Sequence, residues 1–437
     1  MPEASPSMNP VVAVPYAIAT AVAQGAAQLA AQLAPSSAHK LVRSLRARAG
    51  LTQRLVARAR TVRDPAHPLI WLHAPSVGEG LQARPVAQAL RAAHPTWQQG
   101  YTFFSPSAET FAGTVGAEIC DYLPFDRAHD ADALLEAIRP SALVFAKLDV
   151  WPVLVARARA RGIPVALISA TLAEQSGRRG WWSQQLVGPA YQSLQAVGAI
   201  DATHASRLQA LGVPTAVLQV TGDTRFDQVW ERAQRVDRGS ALLRMLASDR
   251  PTLVAGSTWP SDEAPLLASV DASLRLIIAP HEPTAAHCAA IEQWAREAGR
   301  RVYRLSALTE AITAEADVVL VDRMGVLGDL YALADIAFVG GGFHRAGLHS
   351  TIEPAAFGVP VLLGPRYQGS REAGLLIAAG GAQSVSDASA LRAALSHWLT
   401  DPDARRAAGA AAQGVVRQEL GATARSVALI EGLLPRA

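Results

Sequence analysis

The chain has 437 residues, of which half are hydrophobic and 18% are charged, and its formal net charge at pH 7 is +3. This composition is typical of globular proteins, and the length predicts roughly two to three domains. The small net charge excludes a polycationic surface for nucleic acid, and the two distant cysteines, Cys120 and Cys288, exclude a disulfide framework or a cysteine zinc cluster. We expect both to be buried free thiols in a reducing cytosol.

The first predicted element is an apolar N-terminal segment, residues 1–39, followed by a basic stretch. Residues 4–38 contain no Asp, Glu, Lys or Arg, whereas residues 40–63 are rich in Arg and contain no acid. Ala and Gln make the segment a marginal membrane span, so it either spans weakly or lies in the interface, where residues 40–63 attract anionic lipid. If it spans, the body lies on the cytoplasmic face of the inner membrane. The alternative is a soluble Ala-rich helix with a solvated basic face.

Short apolar runs alternate with helical patterns from residue 69 onward. Such runs are typical of buried parallel strands in an α/β fold. A helical stretch without a strand, residues 223–251, separates two similar series and predicts a bridge between two domains, residues 40–222 and 252–437. The predicted strands are 69–74, 101–105, 142–147, 164–170, 196–202 and 216–222, then 252–257, 274–280, 300–306, 316–322, 336–341 and 359–364. Two doubly wound Rossmann-like domains facing a cleft are expected, with ligands beyond the carboxyl ends of the strands.

Two acids follow strands in the first predicted domain. Glu79 lies between two glycines in HAPSVGEG, just before the helical pattern 80–94, and Asp149 lies in KLDVWP. Asp149 is either a functional acid or a partner of Lys147 or a cap of the next helix. The Asp-x-Asp pair at Asp130 and Asp132 opens a helical pattern, so N-terminal capping explains it better than a metal site.

The strand ends of the second predicted domain carry small and polar residues. Gly340, Gly341 and Gly342 follow a strand, and a helical pattern begins near Ser350; the spacing fits neither a dinucleotide fingerprint nor a P-loop. Glu353, one turn into that helix, either binds ribose hydroxyls or responds to the helix dipole.

Two further strand ends in this domain allow two interpretations each. Ser257 and Thr258 precede Asp262 and Glu263; hydroxyls and amides there suit phosphate or carboxylate, but capping explains Ser261 and the acids equally well. His281, in APHEP, either binds an anion or is an ordinary loop residue.

Taken together, these segments resemble the Kdo transferases, which transfer 3-deoxy-D-manno-octulosonic acid (Kdo) from CMP-Kdo to a lipid A precursor in lipopolysaccharide synthesis. The similarity runs from about residue 40 to 385 and is strong because the segments keep their order and spacing. They are HAPSVGEG, KLDVWP, GIPVALISATLAEQS, VTGDTRFD, AGSTWPSDE, IIAPHEP, GVLGDLYALADIAFVGGG and HSTIEPAAFGVPVLLGPRY. Their residues look most like the Bacteroidetes version of the family.

The resemblance implies a GT-B glycosyltransferase fold and an inverting transfer, with the lipid acceptor on the N-terminal domain and CMP-Kdo on the C-terminal one. It implies that Glu79 is the general base and that Asp149 is a second catalytic acid, where the family usually has Glu. It implies no metal and no cofactor. The donor-binding positions that it implies are Arg225, Ser257, Thr258, His281, Gly341, Gly342, His349, Ser350 and, on the ribose, Glu353.

The chain departs from the family pattern in the loop that begins with Gly340–Gly342 and ends near Ser350, here called the glycine loop. The family usually has His-Asn where this chain has His349-Ser350; Ser still caps a helix but lacks the amide donor. His344 and Arg345 are an additional basic pair in the glycine loop. Two alternatives therefore stay open: a GT-B transferase with another nucleotide sugar, and a catalytically inactive relative.

Overall fold

The computed structural model describes residues 9–33, 40–174, 176–309, 313 and 315–435. The chain forms two compact units. The first comprises Met1–Asp227 together with Leu420–Ala437, and the second comprises Gln228–Glu419. The predicted segment 1–39 and domain 252–437 thus lie partly outside the described residues.

The first unit is built on a seven-stranded parallel sheet in the order β3-β2-β1-β4-β5-β6-β7. The residues of β1, β4 and β5 are buried throughout, because helices cover both faces of a parallel sheet. The strands are β1 Leu69–His73, β2 Gln98–Phe103, β3 Ile119–Tyr122, β4 Ala142–Ala146, β5 Val165–Ala170, β6 Ala196–Ala199 and β7 Leu218–Val220.

Helices follow nearly every strand of this unit. Local signals start several of them: Pro152 occupies the first turn of one helix, and Asp201 caps another by accepting a hydrogen bond from the backbone N–H of His204. The helices are α1 Pro10–Leu33, α2 Lys40–Ala47, α3 Leu51–Val62, α4 Val77–Ala93, α5 Glu109–Ala112, α6 Ala128–Ile138, α7 Pro152–Ala160, α8 Trp181–Gln192 and α9 Ala202–Ala210. Helix α10, Thr224–Arg235, begins in this unit, and its residues from Gln228 onward belong to the second.

The second unit repeats the architecture with a seven-stranded parallel sheet in the order β10-β11-β9-β8-β12-β13-β14. Its strands are β8 Thr252–Thr258, β9 Arg275–Pro280, β10 Val302–Arg304, β11 Val318–Leu320, β12 Ile336–Val339, β13 Val361–Leu363 and β14 Ala382–Ser384. Its helices are α11 Ala241–Leu246, α12 Pro260–Leu267, α13 Ala285–Glu297, α14 Leu327–Leu330, α15 Ile352–Ala356, α16 Arg371–Ala378, α17 Ala388–Thr400 and α18 Pro402–Gln418.

The last helix, α19 Ala422–Glu431, belongs to the first unit, which corrects the predicted domain 252–437. The carboxylate of Asp227 accepts the backbone N–H groups of Gly421 at 2.7 Å and Thr423 at 2.6 Å, and His94 lies 2.7 Å from Glu431. These contacts join positions about 200 or more residues apart, so local sequence patterns did not reveal them.

The N-terminal helix α1 is docked on the first unit. The hydroxyl of Tyr16 donates to Asp126 at 3.0 Å, and Asn9 donates to Gln185 at 3.2 Å. Burial raises the pKa of the Asp126 carboxyl to about 6 although the backbone N–H groups of Val153 and Leu154 donate to it. Residues Pro10–Ala30 are long and apolar enough to cross a membrane, with a mean hydropathy of 1.4.

Three arginines of the basic stretch 40–63, which we expected to attract anionic lipid, contact groups of the protein itself. The guanidinium of Arg48 is buried over the ring of Phe104, Arg54 pairs with Asp121 at 3.4 Å, and Arg63 donates to backbone carbonyl groups. These arginines satisfy carbonyl groups at loop ends, a role that the sequence pattern did not distinguish from lipid binding.

Three smaller predictions also need correction. Strands β3 and β14 were missed because they are edge strands of mixed polarity. Cys120 is exposed, and only Cys288 is buried. Asp130 and Asp132 are not caps: Asp130 accepts from the hydroxyl of Thr52 at 2.8 Å, and Asp132 pairs with arginines of α7 and the residue after it. Within the described ranges, no group of three or more His, Cys, Asp or Glu residues is arranged to hold a metal ion.

Candidate functional site

The strand order of the first sheet reverses between β1 and β4, which lie side by side although two other strands follow β1 along the chain. Ligands of doubly wound sheets bind beyond the carboxyl ends of the strands at such a point. The loop after β1 carries Glu79 in the first turn of α4, and the loop after β4 carries Lys147 and Asp149. The two predicted catalytic acids thus follow the two strands that define the switch point.

Glu79 is held by two neighbours. The hydroxyl of Ser76 donates to Oε2, and the Lys147 ammonium lies 3.1 Å from Oε1. Burial raises the pKa of the Glu79 carboxyl, but the Ser76 hydrogen bond and the charge of Lys147 together outweigh burial and hold the pKa below its ordinary value. Glu79 is therefore an ionised, oriented carboxylate at neutral pH.

Lys147 adopts a left-handed backbone conformation with φ of 68°, which is uncommon for a residue with a side chain. The sequence suggests Lys147 only as a partner for Asp149, but its ammonium forms an ion pair with Glu79 instead. Asp149 accepts from the guanidinium of Arg178, a residue that the sequence analysis missed. Lys147 could have been found from the sequence because a cation directly after a strand end is unusual. No sequence feature marks Arg178 as a site residue.

Arg225 lies in the first unit, in α10, and pairs with a buried acid. Its Nε and Nη2 lie 2.9 and 2.7 Å from Oδ2 of Asp223. Burial raises the pKa of Asp223, but the charge and hydrogen bonds of Arg225 outweigh burial and leave that pKa below its ordinary value. The side chain of Gln82, one turn beyond Glu79 in α4, donates to Asp223 at 3.2 Å. The expected donor ligand Arg225 is thus connected to the helix that carries Glu79.

The second sheet has its switch point between β8 and β12. Ser257 and Thr258 end β8, and the glycines follow β12. A Cβ atom at Gly340 would lie 2.3 Å from the carbonyl oxygen of Ser257, and one at Gly341, where φ is 93°, would lie 2.1 Å from that of Gly347. Glycine is required at these positions because the two loops touch through their backbones.

Asp262 and Glu263, which the sequence analysis treated as helix-capping acids, organise this end of the sheet. Asp262 is fully buried and accepts the backbone N–H groups of Trp259 at 3.0 Å, Gly341 at 2.7 Å and Phe343 at 2.9 Å. Glu263 accepts from the buried hydroxyl of Thr258 at 2.7 Å and lies 2.9 Å from His287. Capping is one function of Asp262, but the glycine loop that it also binds is 79 residues away, which local patterns do not show.

Four aromatic rings stack beside the glycine loop. The ring centroid of Trp259 lies 4.2 Å from that of His344 and 4.6 Å from that of His281, and His281 lies 4.4 Å from His349. The indole N–H of Trp259 donates to Nε2 of His349 at 3.2 Å. Burial lowers the pKa of His349 to about 4, with further lowering from His281 and His344, so this ring is neutral at pH 7. The structure therefore brings the predicted donor ligands His281 and His349 together in one ring stack. The stack also contains Trp259 and His344, which were not predicted as ligands.

The helix that carries Glu353 begins later in the chain than expected, which changes the position of Ser350 relative to it. The helix begins at Ile352 and ends at Ala356, and Thr351 is its N-cap, so Ser350 precedes the helix and does not cap it. Gly358, with φ of 75°, follows the helix end. Burial raises the pKa of the Glu353 carboxyl above its ordinary value. The charge of Arg232 lowers this pKa and that of Asp329 raises it, and burial is the largest influence. Arg232 and Asp329 pair at 3.0 Å, so Glu353 lies near a compensated ion pair.

Two parallel Rossmann-like sheets, each with predicted site residues at its switch point, are the architecture of the GT-B class. A UDP-N-acetylglucosamine 2-epimerase of Listeria monocytogenes shares this fold with a TM-score of 0.59 at 13% identity, over 84% of this chain and 96% of that one. The family profile described as 3-Deoxy-D-manno-octulosonic-acid transferase (kdotransferase) matches residues 43–228.

Full-length similarity narrows the class to one family. A 3-deoxy-D-manno-octulosonic acid transferase of Bordetella pertussis is 32% identical over 410 residues, which cover 89% of this chain and 94% of the relative. One of Haemophilus influenzae is 28% identical over 379 residues, or 84% and 87% of the two chains. The chain belongs to the Kdo transferase family and is a glycosyltransferase, as the sequence resemblance predicted.

Proposed function

We propose that the protein transfers Kdo from CMP-Kdo to a lipid A precursor, with inversion at C2 of the sugar. The observation that carries this proposal is the environment of Glu79, an ionised carboxylate oriented by Ser76 and Lys147. A hydroxyl that attacks a sugar carbon must lose its proton, and an oriented carboxylate can accept it. Membership of the Kdo transferase family supports Kdo as the transferred sugar.

In the proposed step, an acceptor hydroxyl oxygen forms a bond to C2 of Kdo while its proton passes to Glu79. The bond from C2 to the phosphate oxygen breaks, and CMP leaves with the electron pair. Lys147 holds Glu79 ionised before the substrate arrives. Asp149, paired with Arg178, is proposed as the second acid, which orients either the acceptor or the Kdo carboxylate through that pair.

The donor is proposed to bind the second unit through its glycine loop and Glu353. Gly341 and Gly342 allow a phosphate close to the backbone, Ser257 supplies a hydroxyl group at the end of β8, and Glu353 accepts the ribose hydroxyls. Thr258, predicted as a second hydroxyl, is buried and donates to Glu263, so it supports the loop instead. Ser257 has a left-handed backbone with φ of 54°, a conformation often found at functional sites. Arg225, although in the first unit, is proposed to bind the donor phosphate or carboxylate.

The acceptor is proposed to reach the enzyme from the membrane. Helix α1 exposes Val14, Ile18 and Val22 by more than half, at helical spacing, whereas its residues Val12 and Ala27 are buried. We propose that this face contacts the cytoplasmic leaflet of the inner membrane, with Arg43, which is exposed, near anionic head groups. Val14→Ser with Ile18→Ser should reduce sedimentation with neutral and anionic vesicles alike, and Arg43→Ser only with anionic ones.

The deciding experiment is a transfer assay with detergent-solubilised protein, CMP-Kdo and tetraacylated lipid A precursor, with products analysed by mass spectrometry. A mass gain of one or more Kdo units that disappears in Glu79→Ala supports both the reaction and the base. A thermal-shift panel tests the donor: cytidine nucleotides should raise the melting temperature more than uridine nucleotides. Stabilisation by uridine nucleotides alone would reject CMP-Kdo and favour another nucleotide sugar.

A further inference from the structure

The ring stack of Trp259, His281, His344 and His349 has an unusual charge environment. Three imidazole rings lie together at the carboxyl end of the second sheet, next to the glycine loop. Asp262, whose charge favours the protonated form of His349, accepts three backbone N–H groups and no imidazole N–H. Among the described residues, no salt bridge joins these three rings to a carboxylate.

The other charged groups around the stack are also committed or exposed. Glu263 accepts from Thr258 and pairs with His287, and the side chains of Glu282 and Arg345, which are chain neighbours of the stack, are exposed. A proton added to one imidazole in the absence of an anion would therefore have no salt-bridged carboxylate to compensate it, and at His349 the charge of Asp262 does not outweigh burial. An anion that binds there would supply that charge.

Hydrogen bonds fix the protonation pattern of two rings. Nδ1 of His344 accepts the backbone N–H of Ala346 at 3.1 Å, so the neutral ring carries its proton on Nε2. Nε2 of His349 accepts the indole N–H, so that ring carries its proton on Nδ1. Each ring thus has one N–H donor, and a second proton on either would break an existing hydrogen bond.

His281 is different because neither of its ring nitrogens has a hydrogen bond in the part of the chain that the structure describes. It can accept a proton without losing a contact. Its ring lies 4.6 Å from that of Trp259, within the distance at which an indole stabilises a cation. Its backbone N–H donates to the carbonyl of Thr258 at 2.9 Å, which fixes it at the end of β8.

We propose that the ring stack is the phosphate-binding part of the donor site, in which His281 takes up a proton when the phosphate binds and His344 donates a hydrogen bond. This inference rests on the proposed function and adds Trp259 and His344 to the donor site. It predicts that donor affinity falls as pH rises, because the imidazolium of His281 forms only below the pKa that it has in the complex. The neutral ring would leave the bound phosphate without that charge.

The test is isothermal calorimetry of the full-length protein in detergent with CMP as the probe, in two buffers of different ionisation enthalpy. At pH 7.5 a phosphate monoester, with a second pKa of about 6, is already a dianion, so proton uptake reports the protein. We expect net proton uptake of at most one proton, because a single imidazole is proposed to take it up. Cytidine, which lacks the phosphate, should give none.

His281→Phe keeps an aromatic ring in the stack and should abolish the uptake. His344→Phe is the matched control: it should weaken CMP binding yet leave the uptake unchanged. Equal uptake in His281→Phe and wild type overturns the assignment.

If His281→Phe binds too weakly for calorimetry, the wild-type pH profile decides, because a dissociation constant that is constant from pH 6.5 to 8.5 rejects the proposal. CMP binding without uptake rejects this inference alone, whereas a folded wild type that binds no CMP rejects the proposed donor as well.

Discussion

The two switch points of this protein use their acids in opposite ways. In the first unit, each acid of the site faces a cation: Glu79 faces Lys147, and Asp149 faces Arg178. In the second unit, Asp262 accepts backbone N–H groups and holds the glycine loop in place. The first arrangement keeps ionised carboxylates beside cations, as the proposed proton transfer requires, whereas the second fixes a backbone surface that we propose as the donor site. One fold thus supports two kinds of chemistry, because function depends on the loops at the strand ends.

The largest effect is expected for Glu79→Gln, which keeps the shape of the side chain but removes its basicity. Transfer should fall about 10²- to 10⁴-fold, the usual contribution of a general base. CMP binding to the second unit should not change. Glu174→Gln, at an exposed acid of the same unit, is the matched control and should be as active as wild type. Near-normal turnover of Glu79→Gln would remove the distinction between the two switch points.

Asp262→Asn tests whether the acid of the second unit is structural. The amide has only one acceptor oxygen for three backbone N–H groups, so the unit should lose about 3 kcal/mol of stability. CMP affinity should fall along with it, measured by thermal unfolding and calorimetry. Asp403→Asn, at an exposed position, should change neither quantity. A variant with normal stability and normal CMP binding would contradict the role of Asp262.

Gly341→Ala tests the backbone contact in the glycine loop. The new Cβ would meet the carbonyl oxygen of Gly347, and the backbone has a positive φ, so a loss of about 1–3 kcal/mol is expected. Gly374→Ala is the control: that glycine lies in α16 with open space at the Cβ position, and helix propensity predicts a gain of about 0.5–1 kcal/mol. Chemical denaturation of both variants should give opposite signs; equal effects would show that the contact is unimportant.

The smallest effect concerns the charge next to Glu79. Lys147 lowers the pKa of Glu79, so Lys147→Met should raise that pKa. A base acts only when ionised, and activity is lost as pH falls through its pKa. The acidic limb of the kcat/KM profile should therefore move to higher pH, with little change at pH 8. Arg178→Met, which removes the partner of Asp149, should leave that limb in place.

The sequence predicted the fold and the position of the proposed base, Glu79, for physical reasons. Buried parallel strands are typically continuous apolar runs, and this local property located twelve strands; β3 and β14 escaped because their residues, ICDY and AQS, form no apolar run. Glu79 was recognisable because an acid between glycines at a strand end is a local feature. Arg178 was not, because nothing near it in the sequence marks it as the partner of Asp149.

The sequence by itself determined the α/β class, the family and the position of the proposed base, since each depends on neighbours along the chain or on the order of short segments. Only the tertiary structure decided the roles of Lys147, Asp262 and the C-terminal helix. Their partners are 68, 79 and nearly 200 residues away. It also decided that Arg48 and Arg63 serve the protein interior, because an arginine beside a buried carbonyl and one beside a lipid have the same local sequence pattern.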